Sequence, residues 1–287
     1  VRLLRAELLK IRRRTATYVV LGVMLVLAVL LMALLASDRQ LVRLLLQFPT
    51  AWTTIADFPF GALGTLLAVA YAAAIAGADW NWGVLRNVIA RGESRIGYVL
   101  AKAVAIALAL AIGVLLILLV GAIAAFAITT LSGISSGNPV SADSLEVLGR
   151  QVLFGYPVLL ERAALGFAVA IILRSQVAGV VVGIVFYVGE TLLAALLVVS
   201  TLLPRLLEGG DPPPPQWFQY LPFAIGDQVR AAGMIGAPGA QGPIGGDFAS
   251  LLLGQVPLAE GLLMLGIYTG TAIGLSLLRA WREEIVA

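Results

Sequence analysis

The chain of 287 residues has no cysteine and no histidine. Without cysteine there is no disulfide framework and no thiolate metal ligand. Without histidine, serine–histidine catalysis is excluded and imidazole metal sites are absent, which argues against a zinc intramembrane protease. Lysine is nearly missing too: Lys10 and Lys102 are preceded by Leu9 and Ala101. A P-loop needs glycine directly before its lysine, because the loop cradles the phosphates that the lysine reaches. Nucleotide chemistry therefore belongs to another chain. The seven aspartates (Asp38, Asp57, Asp79, Asp143, Asp211, Asp227 and Asp247) fall at the ends of apolar runs or between them, so no intramembrane aspartyl dyad is expected. No catalytic residue and no cofactor bound by this chain is expected.

Charge as a whole is scarce. Charged residues make up 12% and hydrophobic residues 60%, against about 25% charged in a soluble domain. The expected class is an all-α integral membrane protein. A helix needs about 20 apolar residues to cross a bilayer core. Six segments qualify: Thr15–Ser37, then approximately 58–78, 96–128, 152–173, 176–203 and 257–278.

Lysine and arginine set the orientation of such a chain. Thirteen of them flank one set of span ends (Arg2, Arg5, Lys10, Arg12, Arg13, Arg14, Arg86, Arg91, Arg95, Lys102, Arg174, Arg279, Arg282). Five flank the other set (Arg39, Arg43, Arg150, Arg205, Arg230), and Arg162 lies inside span four. Both termini and the link between spans two and three are therefore expected in the cytoplasm. The division is a helix over 1–14, a six-span transmembrane domain over 15–287, a hairpin over 79–97 and a long outer loop over 204–256.

The segment "VRLLRAELLKIRRR" repeats Val1, Leu4, Leu8 and Ile11 at helical spacing, with arginines elsewhere around it. It is expected to be an amphipathic helix in the inner headgroup layer, held by apolar contact and anionic lipid. Its charge also suits topology determination alone. On the outer side, "LVRLLLQF" is expected to lie on the membrane surface, and 129–149 to be a polar loop. "DPPPPQWFQYLPF" joins a stiff proline run to Trp217, Phe218 and Tyr220. It suits an interfacial cap or a gate.

The stretch "DWNWGVLRNVIARGESR" (79–95) interrupts this apolar sequence with five charged side chains. Asp79 suits a helix N-cap, Trp82, Leu85 and Ile89 share one helical face, Gly92 suits a left-handed turn, and Ser94 suits the cap of span three. That gives a short helix lying crosswise, with an apolar ridge on the wet side, either resting on lipid or docking a partner. Within the spans, Glu161, Arg162 and Glu190 are expensive charges. Their depths suggest an Arg162–Glu190 pair, with Glu161 facing a cavity or a second partner. A substrate or proton role is the other reading.

The layout and the hairpin resemble the permease subunit of ABC-2 type ATP-binding cassette exporters. That family's hairpin reads as an acidic residue, Gly-Thr-x-Arg, a small or proline-containing turn, Ser-Arg, and a lysine about seven residues on. Here the matching positions are Asp79, Gly83-Val84-Leu85-Arg86, Arg91-Gly92-Glu93, Ser94-Arg95 and Lys102. Asp79 replaces the commoner glutamate and Val84 the usual threonine. The resemblance implies that 79–97 is a coupling helix seated on a separate ATP-binding subunit. Asp79, Trp82, Gly83, Leu85, Arg86, Ile89, Arg91 and Arg95 would be the coupling residues. It further implies a second permease of the same or another kind, ATP and magnesium on the partner, alternating access outward, and the plasma (inner) membrane of a prokaryote. Lipid is an expected partner and nucleic acid is not. The alternatives are an ion-coupled secondary transporter using Glu161 or Glu190, and a membrane scaffold without transport.

Overall fold

The computed structural model describes residues 2–81, 92, 94–208, 216–237 and 256–282. Every regular element among them is helical: α1 (Arg2–Arg13), α2 (Thr15–Leu35), α3 (Arg39–Leu45), α4 (Thr50–Phe60), α5 (Ala62–Asn81), α6 (Arg95–Leu131), α7 (Ala142–Leu173), α8 (Gln176–Glu208), a 3-10 turn (Trp217–Tyr220), α9 (Pro222–Gly233) and α10 (Leu258–Trp281). Six segments are long and apolar enough to cross a membrane: Thr15–Leu35, Thr50–Asp79, Arg95–Leu131, Ala142–Leu173, Gln176–Leu197 and Leu258–Trp281. The protein is a multi-pass helical bundle with the six spans that hydropathy predicts.

Local chemistry sets many of the boundaries. Ser94 accepts the Gly97 amide at 3.0 Å and starts α6, as its position in the sequence suggests. Ser141 does the same for α7 by accepting from Ser144. Helix α7 thus begins at Ala142, well before the expected start near Val152, and the polar link there is shorter than the expected 129–149. Asp38 caps α3 through the Gln40 amide. The segment "LVRLLLQF" is helical as far as Leu45; Val42, Leu45 and Leu46 are buried against the protein, while Leu41 and Leu44 stay exposed.

The second and fourth spans form the centre. About two thirds of each is buried (67% and 61%), against 17–28% for the other four. Helix α5 is rich in alanine there: Ala72, Ala73 and Ala76 are wholly buried. Small side chains let helix backbones approach closely, which is how helices associate where no hydrophobic drive separates them from lipid. A Cβ on Gly77 would fall 2.5 Å from the Cα and amide nitrogen of Gln176, and one on Gly166 within 3.0 Å of the Val69 backbone. The corner between α7 and α8, where Arg174 takes a left-handed conformation (φ 52°), is thereby pressed against the last turns of α5.

One face of the bundle carries α1, the end of α5 and the start of α6. It is called the near face below. The far face carries α3, the link before α7, and α9. Gly77→Leu should therefore cost about 1–3 kcal/mol, because backbone cannot move aside as a flexible side chain would. Gly22→Leu, where nothing lies within 4 Å, should stay within about 0.5 kcal/mol of wild type. Thermal unfolding of the detergent-solubilised protein separates the two.

Candidate functional site: two buried charge centres

The far-face centre begins with a broken helix. Helix α4 ends at Phe60, Gly61 is extended, and α5 starts at Ala62, so span two is discontinuous. A break inside a span frees backbone carbonyls that lipid cannot satisfy. Arg162 on α7 donates to the Phe60 carbonyl at 3.0 Å, and Arg230 on α9 donates to the same oxygen at 2.6 Å. Arg162 also donates to the Thr65 hydroxyl and to the Asp227 carboxylate. Arg230 reaches Asp57 at 3.1 Å. Arg162 is 1% exposed, so its charge is supported by protein groups and not by bulk water.

This arrangement corrects the pairing expected from depth. Arg162 pairs with Asp227, a residue of the long distal connection, and not with Glu190. Glu190 instead accepts the Phe223 and Ala224 amides at 2.7 and 2.8 Å. Those are the first amides of α9, whose own N-cap residue, Leu221, offers no side-chain acceptor. A carboxylate from α8 thus caps α9 and complements its dipole. Both oxygens of Glu161 are buried and have no hydrogen-bond partner among the described residues.

Part of the long connection therefore packs as structure. In the 3-10 turn Phe218 is buried and Trp217 exposed. Tyr220 donates to Glu260 at 3.1 Å, on the exposed start of α10. The proline run lies outside the described residues. Between α9 and the bundle a polar cavity of about 290 Å³ is lined by Asp57, Gln151, Tyr187, Thr191, Asp227 and Arg230. Sequence reasoning missed Asp227 and Arg230 as the half-buried partners of this centre. The available signal was "PFAIGDQVRAAG": a proline suited to a first helical turn, followed by Asp and Arg three residues apart on one helix face.

The near-face centre ties four segments together. Asp79, in the last turns of α5, accepts from Lys102 and from the Tyr98 hydroxyl, both on α6, and from Arg14 at 3.1 Å. Lys102 also reaches Glu7 of α1 at 3.2 Å. Lys10 pairs with Glu7 and donates to Tyr98 at 3.4 Å. Glu7, Asp79 and Lys102 are 2–3% exposed. Asp79 is therefore no N-cap: α5 runs on to Asn81, and the carboxylate points into this clasp. Glu7 is a third missed residue; it is the lone acid in the first 37 residues, the one feature that set it apart.

Of the residues expected to couple to a partner, Asp79 and Arg95 lie within the described residues, and Arg95 opens α6. Trp82, Gly83, Leu85, Arg86, Ile89 and Arg91 lie outside them. Gly92 has the left-handed conformation expected (φ 79°).

The far-face pairing has a direct consequence. In double-mutant cycles of thermal stability, Arg162→Leu with Asp227→Asn should show a coupling of about 1–3 kcal/mol, as contacting charges do. The cycle of Arg162→Leu with Glu190→Gln should fall well below it. A larger Arg162–Glu190 coupling would contradict the geometry.

No curated protein matches the chain. A family model described as "ABC-2 family transporter protein" matches residues 3–190, from α1 through the fifth span as far as the carboxylate that caps α9. Within that match lie the discontinuous second span, the near-face clasp and Arg162. With most of its length matched, and six membrane-length helices around these two centres, the chain belongs to the ABC-2 family of transporter proteins, as a permease subunit without a nucleotide-binding motif of its own.

Proposed function

We propose that this chain is the membrane half of an ATP-driven exporter. A separate ATP-binding subunit seats on the link between α5 and α6, and two permeases, identical or related, enclose the path. The near face is cytoplasmic, in keeping with its thirteen basic residues and the positive-inside rule. The membrane is the plasma membrane of a prokaryote. Helix α1 lies in the inner headgroup layer, with Ile11 buried and Arg2, Arg5, Arg12 and Arg13 exposed. ATP and magnesium sit on the partner.

The observation that carries this reading is the clasp. Asp79 and Lys102 mark the two roots of the link, and they are bound to each other and, through Glu7 and Arg14, to the N-terminal segment. Force applied to a loosely tethered link would dissipate in the link. Force applied to this one moves α1, α5 and α6 together. Helix α5 is the central helix, and its other end carries the Gly61 break held by Arg162. Displacement of α5 would therefore act on the contacts that seat α9 beside the far-face cavity. The 3-10 turn and α9 then work as a gate more than as a passive cap.

Ion-coupled transport is the second reading, and Glu161, with no hydrogen-bond partner among the described residues, favours it, since intramembrane ionisable groups mark function by default. Glu190 is the weaker candidate for it, being engaged as a helix cap.

In proteoliposomes the chain alone should hydrolyse no ATP, and with its ATP-binding partner it should couple hydrolysis to outward movement. Lys102→Met leaves two buried carboxylates facing each other, a loss of about 3–5 kcal/mol. It should keep partner binding while transport per ATP hydrolysed falls several-fold. Transport driven by a proton gradient in the chain alone, abolished by Glu161→Gln, would select the second reading.

A further inference from the structure

Between α2 and the pair α5–α6 lies a cavity of about 480 Å³ that belongs to neither charge centre. Its walls are apolar side chains, among them Leu21, Met24, Leu67, Ala68, Leu110 and Ile117, all on membrane-length helices. Its volume falls within the range of small-molecule sites, about 300–1,000 Å³. It is also open sideways: Tyr18 and Ile112, at its edge, are each 58% exposed. Only 17% of span one is buried, so α2 does not close the space.

The polar groups of the slot gather at the near-face end and are already engaged with one another. The Thr17 hydroxyl donates to the Ile11 carbonyl at 3.1 Å, which leaves the Tyr71 hydroxyl, 3.2 Å away, to donate to Thr17. Tyr18 spends its hydroxyl on the Arg12 carbonyl at 2.7 Å. None of the three calls for a polar ligand inside the slot. The guanidinium of Arg12 is different. It belongs to an exposed residue that lines the slot, has no ion-pair partner among the described residues, and has exposed Arg13 beside it. An occupant apolar along its length and anionic at one end fits these walls and this cation.

The length of the slot agrees with that chemistry. Its walls run from Thr17 to Met24 on α2 and from Ala109 to Ile117 on α6, roughly 10–12 Å of helix at 1.5 Å per residue. A single leaflet of a hydrocarbon core is about 15 Å deep, so the slot lies along most of one leaflet and opens at that leaflet's headgroup level.

We propose that this slot binds one acyl chain of an anionic phospholipid, with the lipid phosphate on Arg12. The lipid fills the gap behind α2 and fastens the α1–α2 corner, next to the clasp, to the membrane surface. This does not rest on the exporter reading, since it concerns α2 and the bilayer and not the partner subunit.

The test is photolabelling of the full chain, in nanodiscs of phosphatidylcholine, with a trace of phosphatidylglycerol carrying a diazirine in one acyl chain. Labelled residues are then mapped by peptide mass spectrometry. Label is expected on slot residues of α2, α5 and α6, displaced by unlabelled phosphatidylglycerol and not by further phosphatidylcholine. Arg12→Gln, an exposed change that leaves folding intact, should lower slot labelling about fivefold, the worth of one basic residue at an anionic surface. Gly113→Leu should abolish it: a Cβ there has only Leu21 nearby, at 3.9 Å, and the longer side chain fills the slot. Label spread evenly over the lipid-facing helices would overturn the proposal. So would equal displacement by phosphatidylcholine, or Arg12→Gln labelling like wild type.

Discussion

One backbone oxygen organises the centre of this protein. The break at Gly61 frees the Phe60 carbonyl inside a segment that is otherwise helical across the membrane, and an unsatisfied carbonyl there is not tolerated. Two arginines, from α7 and α9, converge on it. Each guanidinium then needs an anion of its own, which Asp227 and Asp57 supply. From this single requirement follow the seat of α9 against the bundle, the burial of Arg162, and the polar cavity between α9 and α5. Glu190 completes the arrangement by capping the start of α9 from a fourth helix.

The near-face clasp is the counterpart at the other end of α5. It too brings buried charges together, but it links chain segments that meet at the membrane edge: α1, the start of α2, the end of α5 and the start of α6. Breaking a buried ion pair is strongly destabilising because it strands a charge away from water. Such contacts act as stiff joints that hold or rearrange as a whole. A central helix fixed at both ends by joints of this kind can carry displacement from one membrane face to the other. That is the mechanical property a permease driven from outside the membrane requires. The family match, the six spans and the missing P-loop all agree with it.

Much of the architecture was legible from residues alone. Hydropathy placed six spans, the serine ahead of α6 announced its cap, and Gly92 its left-handed turn. Such features depend on neighbours a few residues away, so the sequence displays them directly. The residues misread share the opposite property. Asp79 looks like a helix start because aspartate after an apolar run usually is one. Tertiary contact with Lys102 and Tyr98 gave it another role, and α5 continues past it. In "LVRLLLQF" the pattern alone does not say which leucines the protein covers; packing buried Val42, Leu45 and Leu46 and left Leu41 and Leu44 exposed.

The sequence by itself determined the class of protein, the number of crossings, the scarcity of chemistry and the charge asymmetry of the two faces. A bilayer imposes length and apolarity on each crossing separately, and a one-dimensional pattern records those directly. The tertiary structure alone decided which charge meets which. Equal depth made Glu190 a fair partner for Arg162. However, depth is one coordinate, and pairing also depends on which helices adjoin and on a connection that folds back. Helix α9 returned Asp227 and Arg230 to the bundle, and left Glu190 to the amides of α9 and Glu161 without a partner among the described residues.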